Sequence, residues 1–232
     1  MSKYYSYKQQ VLEISLSLLE GGYFGTKHGS AGNVSVLVSG EEAVVITPSG
    51  MNYASLTADD LCVVNFSGGR IEGPHEPSVE TGMHLAVYKN RRDVNAVIHT
   101  HQIHATMLSI INQPMPALFD EVTVSIGPKV EIVPYGLSGS SDLIDNVTAK
   151  LSNRCHCYIL QNHGALCVGP SLEKARLFVE LLEKQAMVYC QALAMGREIT
   201  TLPEPMPEGL FQITKAKQDM EIARKESLQP VG

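Results

Sequence analysis

His99-Thr100-His101 ends the apolar run that begins at Val97-Ile98. Side chains two apart along a strand share a face, so both imidazoles can converge on one ion. A third histidine, His163, closes another apolar run, Tyr158-Ile159-Leu160-Gln161-Asn162, and Gly164 follows it. A glycine there permits a sharp turn directly after a ligand. Three histidines with an open fourth position form a catalytic metal centre, and neutral imidazole suits zinc. The competing reading is three hydrogen-bonded strand-end histidines with no ion. His104 is an extra candidate that fits better on the following helix as a supporting or packing residue. Cys155-His156-Cys157 has ligand chemistry too, but no second cysteine pair at zinc-ribbon spacing answers it. It leads into a strand-like run, which favours burial.

Glu80 lies in Pro77-Ser78-Val79-Glu80-Thr81. A carboxylate in the first turn of a helix is favoured by the macrodipole, and Glu80 also stands four residues before His84, within pairing reach. Catalysis is the sharper alternative to these two structural roles. Three small polar segments can gather around an anion: Gly29-Ser30-Ala31-Gly32-Asn33, Thr47-Pro48-Ser49-Gly50 and Pro77-Ser78. Turn amides, hydroxyls and a helix N-terminus hold a phosphate without a basic residue. Each segment alone is only a turn; their force comes from occurring together.

These residues need elements to carry them. Helical periodicity marks 7–20, stopped by Gly21-Gly22, and further helices are expected over 78–90, from 101 or 102 to 111, over 140–151 and over 171–195. Strands are expected at 34–38 and 43–47, joined as a hairpin, and at 61–66, 96–99, 130–133, 158–160 and 165–168. Strands occurring both in hairpins and between helices predict a mixed or antiparallel sheet covered by helices. Gly136-Leu137-Ser138-Gly139-Ser140 ends in Ser where a nucleophile elbow needs Gly, so it reads as a turn and helix cap. The dinucleotide and P-loop fingerprints are absent.

At 232 residues the chain suits one core, expected over 1–202. The proline-broken, polar stretch 203–232 is expected to be a tail, loosely attached or docked on a neighbouring subunit. A net charge of -6 argues against a nucleic-acid surface, and no apolar run approaches a membrane span. The start, Met1-Ser2-Lys3-Tyr4-Tyr5, has no signal-peptide core, and five cysteines suit a reducing compartment, so a cytoplasmic protein is expected.

Taken together, Gly29–Ser35, Ile46–Gly50, Pro77–Glu80, His99–His101 and Asn162–Gly164 resemble the class II aldolase/adducin family, in family order across about residues 8–195. The resemblance implies a single α/β/α domain around a largely antiparallel sheet, a homotetramer with sites at subunit interfaces, and sugar-phosphate lyase chemistry. It implies that His99, His101 and His163 hold Zn2+, with Mn2+ or Co2+ as substitutes. Glu80 matches the aldolase acid/base, which also binds the metal when substrate is absent. Ser30, Asn33, Ser49, Gly50 and Ser78 match the phosphate pocket.

Two positions depart from the pattern. Val79 stands where the family pocket commonly has a second serine. Asp120 stands where a tyrosine from a neighbouring subunit handles the aldehyde-side proton. The implied activity is cleavage of a ketose 1-phosphate, similar to L-fuculose 1-phosphate, to dihydroxyacetone phosphate and an aldehyde. The alternatives are decarboxylation of a phosphorylated 3-oxo acid, sugar-phosphate 4-epimerisation, and a non-catalytic adducin-like interaction module. No lysine sits in an apolar setting that would suit Schiff-base chemistry.

Overall fold

The computed structural model describes residues 2–26 and 31–227. Helix α1 (Tyr5–Glu20) leads into the hairpin β1 (Asn33–Leu37) and β2 (Ala43–Ile46), followed by β3 (Cys62–Asn65) and β4 (Arg70–Glu72). Then come α2 (Thr81–Asn90), β5 (Ala96–Thr100), α3 (Ile103–Ile110), β6 (Met115–Pro116), α4 (Asp120–Ile126), β7 (Lys129–Val130) and β8 (Ile132–Val133). The chain closes with α5 (Ser141–Thr148), β9 (Cys157–Leu160), β10 (Gly164–Gly169), α6 (Leu172–Ala194) and α7 (Met206–Ser227).

Eight strands form one sheet in the order β4-β3-β2-β1-β5-β10-β9-β8, and β6 pairs with β7 separately. Every pair in the large sheet is antiparallel except β8 with β9. This is the α/β arrangement expected from the mixture of hairpins and crossovers.

Alternation along the strands divides the apolar residues between two faces. Val34, Val36 and Ile98 belong to a core shared with Val11 of α1, Leu108 of α3 and Val179 of α6. Val44, Val97 and Leu166 belong to the opposite core with Val87 of α2 and Leu143 of α5. Asn33, Ser35 and His99 interrupt the alternation on that second side, and they are buried polar groups beneath α2.

Two expectations change. The run 130–133 is not one strand: it is split between the two sheets. The tail, within the described residues, carries a 22-residue helix docked on its own chain. Phe211 is buried in the second core, and Gln218 donates to the Arg154 carbonyl. Cys155, His156 and Cys157 are all buried; the His156 ring stacks on Phe178 and is held by the Ser125 carbonyl and Gln218. All three side chains of that motif are packed into the interior.

Candidate active site

His99, His101 and His163 come together as the spacing predicted, with one ligand nitrogen from each lying within 4.8 Å of the others. The ring centroids are 4.6–5.2 Å apart. His99 sits in β5, paired to β1 on one side and β10 on the other. Its Nδ1–H donates to the Ala165 carbonyl at 2.8 Å, which fixes the tautomer and leaves Nε2 bare. That Nε2 lies 2.8 Å from Nε2 of His101. Two ring nitrogens this close need a shared proton or a shared cation.

His101 continues beyond the strand, its amide donating to the Tyr23 carbonyl. His163 is the last residue of the β9–β10 turn. The left-handed residue there is Asn162, with φ 54°, and not Gly164. Gly164 serves close approach instead: a Cβ on it would sit 2.3 Å from the Thr100 carbonyl oxygen and 2.9 Å from the His101 ring. Burial, reinforced by the neighbouring rings, pushes His101 down to about 3, and burial pushes His163 down to about 4. At neutral pH both rings are therefore uncharged, the form that binds a metal. The donor set fits one divalent ion.

Glu80 occupies the N-cap position of α2, yet its side chain makes no capping hydrogen bond. The carboxylate turns to the histidines instead, 3.3 Å from His99 Nε2 and 3.4 Å from His163 Nε2. Asn33 Nδ2 donates to Oε2 at 2.7 Å and Ser138 Oγ donates to Oε1 at 2.8 Å. Burial would raise this carboxyl, and the hydrogen bonds from Asn33 and Ser138 act against burial and favour its ionised form. The pairing with His84 that the four-residue spacing allowed is indirect and runs through Asn33. His104 is engaged by Glu183 of α6, away from the cluster.

Two of the anion-pocket segments also meet. Thr47–Ser49 runs antiparallel to Glu76–Ser78: the Ser49 amide donates to the Glu76 carbonyl and the Ser78 amide to the Thr47 carbonyl. Ser78 Oγ accepts from the Glu80 amide, which ties this rim to the acid. Gly50 is exposed with φ 69°, and Val79 is 65% exposed on the same rim. Ser30 lies outside the described residues. Asp120 begins α4, exposed, and among the described residues no hydrogen bond or ion pair joins it to the histidines.

The likeness to known proteins extends well beyond these site residues. Residues 9–190 match the profile described as the Class II Aldolase and Adducin N-terminal domain. The chain belongs to the class II aldolase family. It is 33% identical to an L-fuculose phosphate aldolase of Escherichia coli O6:H1, over 84% of this chain and 88% of that one. It is 32% identical to a 5-deoxy-D-ribulose 1-phosphate aldolase of Bacillus thuringiensis serovar kurstaki, over 80% and 86%. A solved L-fuculose 1-phosphate aldolase superposes with a TM-score of 0.84 at 32% identity, covering 93% of this chain and 98% of that one. As a class II aldolase, the protein is an enzyme of carbon–carbon lyase type.

Sequence reasoning missed Ser138, which reads as a turn residue before the cap Ser140. Ser140 does cap α5, its Oγ accepting from the Leu143 amide. A Cβ on Gly139 would lie 2.9 Å from the Val79 carbonyl, so this turn presses on the strand-like approach to Glu80 and delivers the Ser138 hydroxyl there. No periodicity signals such a contact; only the fold brings position 138 to position 80.

Proposed function

We infer that the protein is a zinc-dependent aldolase cleaving a ketose 1-phosphate, similar to L-fuculose 1-phosphate, to dihydroxyacetone phosphate and a small aldehyde. The observation that carries this reading is Glu80, a buried carboxylate that declines its own helix cap and faces His99 and His163 of the histidine cluster. His99, His101 and His163 would hold the ion, with Mn2+ or Co2+ as substitutes for Zn2+. When bound, a divalent ion supplies Lewis-acid stabilisation of the enediolate charge that carbon–carbon cleavage leaves behind.

The remaining steps belong to side chains. In the condensation direction the Glu80 carboxylate takes the proton from the carbon that becomes nucleophilic; in cleavage it returns that proton. Asn33 and Ser138 each donate to one oxygen of Glu80, so the carboxylate keeps its orientation through the cycle. Ser30, Asn33, Ser49, Gly50 and Ser78 form the phosphate side, with Asn33 shared between pocket and acid. Asp120, supplied by a neighbouring subunit of a homotetramer, handles the aldehyde-side proton. The relatives act on ketose phosphates that differ at the aldehyde end, and position 120 is where that difference would be read. The enzyme works in the cytoplasm.

Glu80→Gln keeps size and hydrogen bonding but cannot carry the proton. With metal-loaded protein and a panel of ketose 1-phosphates, aldehyde release should fall by about 10²–10⁴ in kcat while folding is unchanged. Full turnover by folded Glu80→Gln would remove the acid/base role. Carbon dioxide release from 3-oxo acids without aldehyde release from any ketose phosphate would overturn the aldolase assignment.

A further inference from the structure

Behind Glu80 runs a buried ladder of polar side chains that alternates between α2 and β1. Asn33 Oδ1 lies 2.5 Å from His84 Nε2, His84 Nδ1 lies 2.7 Å from Ser35 Oγ, and Ser35 Oγ lies 2.7 Å from the Tyr88 hydroxyl. All four residues are buried. Glu80, His84 and Tyr88 are spaced by four on one helix face, and Asn33 and Ser35 by two on one strand face. Four helical residues rise about 6 Å and two strand residues about 6.7 Å, so the two sets of rungs stay in step.

Such a chain can carry its hydrogens in only two directions. In one, Tyr88 donates to Ser35, Ser35 to His84 Nδ1, His84 Nε2–H to Asn33 Oδ1, and the Asn33 NH2 group to Glu80. In the other every bond reverses, and the Asn33 carbonyl meets the carboxylate at 2.7 Å with no hydrogen between them. An amide's oxygen and nitrogen have nearly the same shape, so the hydrogen-bond partners on its two sides decide which end faces Glu80. Glu80 makes the choice: an ionised carboxylate only accepts, so Asn33 turns its NH2 group toward Glu80 and its Oδ1 toward His84. The remaining bonds then point the same way, with Ser35 donating to His84 Nδ1 and Tyr88 donating to Ser35.

We propose that His84 and Tyr88 are positioning residues: their one-way relay through Ser35 locks the Asn33 amide with its NH2 toward Glu80 and so holds the carboxylate against His99 and His163. His84 is then the Nε2–H tautomer. The catalytic consequence rests on the acid/base role inferred for Glu80; the orientation of the relay does not.

The test pairs a spectroscopic and a kinetic readout. Long-range 1H–15N correlation on metal-free, 15N-histidine protein reports each ring's tautomer, with His84 assigned from its loss in His84→Gln. The expected result is a neutral Nε2–H ring. An Nδ1–H ring at His84 would overturn the relay, whatever the catalytic role of Glu80. In the metal-loaded enzyme, His84→Leu should lower kcat by about 10- to 100-fold, the range for supporting-shell residues, with KM within about threefold. His84→Gln keeps a donor and an acceptor and should recover most of that loss. Tyr88→Phe, which touches neither Asn33 nor Glu80, should lower kcat with KM unchanged even if His84→Leu fails to fold. Unchanged kcat in both Tyr88→Phe and His84→Leu would remove the positioning role. A fully active Glu80→Gln would instead remove the acid/base reading and leave the tautomer result standing.

Discussion

Gly164→Ala adds one methyl group where β10 starts. Its Cβ would lie 2.3 Å from the Thr100 carbonyl oxygen, 2.9 Å from the His101 ring and 3.3 Å from His99 Cε1. Real Cβ atoms do not approach closer than about 3 Å, so backbone must separate by at least about 0.7 Å. None of the neighbours is a flexible chain end. Thr100 is hydrogen-bonded strand, paired with Ala165, and the two rings are the proposed ligands themselves. Metal–ligand distances tolerate only about 0.2 Å, so a displacement of this size is felt at the centre. We expect zinc affinity to fall by about 10- to 100-fold. Overpacking should also lower stability by about 1–3 kcal/mol. Chelator competition with a chromophoric indicator measures the first and urea denaturation of metal-free protein the second. Unchanged affinity with unchanged stability would show that the strand junction is not as tight as described. Lost stability with full affinity would show that the ligands move independently of β5 and β10.

Three further outcomes follow from other regions. His156 is buried and its pKa is pushed down to about 4, so between about 6.5 and 4 only the unfolded chain takes up its proton and stability falls as pH falls. The loss at pH 4.5 is about 2–3 kcal/mol, and His156→Gln should reduce the difference in unfolding free energy between pH 7 and 4.5 by that amount. Phe211→Ala, which empties a fully buried site under α7, should destabilise by about 3–5 kcal/mol in denaturant titration; a change below about 1 kcal/mol would mean that α7 is not part of the core. Val79→Ser places a hydroxyl on the exposed rim and should lower KM for a phosphorylated ketose, by up to about 10- to 150-fold, with kcat nearly unchanged. Preference of the unmodified enzyme for the unphosphorylated sugar would overturn the phosphate assignment.

The metal-ligand candidates were legible because their evidence is local. His99 and His101 end an apolar strand, and His163 ends another; strand alternation then supplies the shared face. The hairpin of β1 and β2 and the long helix α6 starting near Ser171 were legible for the same reason. Other features were not. The face of α7 that docks includes Thr214 and Gln218 beside Phe211, so its buried side reads as polar. The strand β4 is mostly exposed at a sheet edge and carries Arg70 and Glu72, which no apolar pattern reveals. Gly164 was assigned to a turn because glycine's freedom is the commoner reason for its presence; the actual reason, lack of a side chain, depends on Thr100 lying opposite. His84 looked like a partner for Glu80 on one helix, whereas its contacts are to a strand nearly fifty residues earlier.

Among the described residues, β5 is the strand of the large sheet whose end carries a candidate ligand within the ladder itself, and it is zipped on both edges, to β1 and to β10. These three strands are roughly sixty residues apart in the chain. Each pairing must close a long loop before it is rewarded, so the centre is a late event in folding and no amino-terminal fragment contains it. Once formed, the order of events inverts. Fraying at β4 or β8 leaves β5 covered, and amides of 97–99 should exchange with solvent only through opening of the whole domain. A site assembled this way keeps its geometry without an ion, so metal capture should be a fast encounter with a ready-made cup, and metal loss should leave the fold nearly as it was.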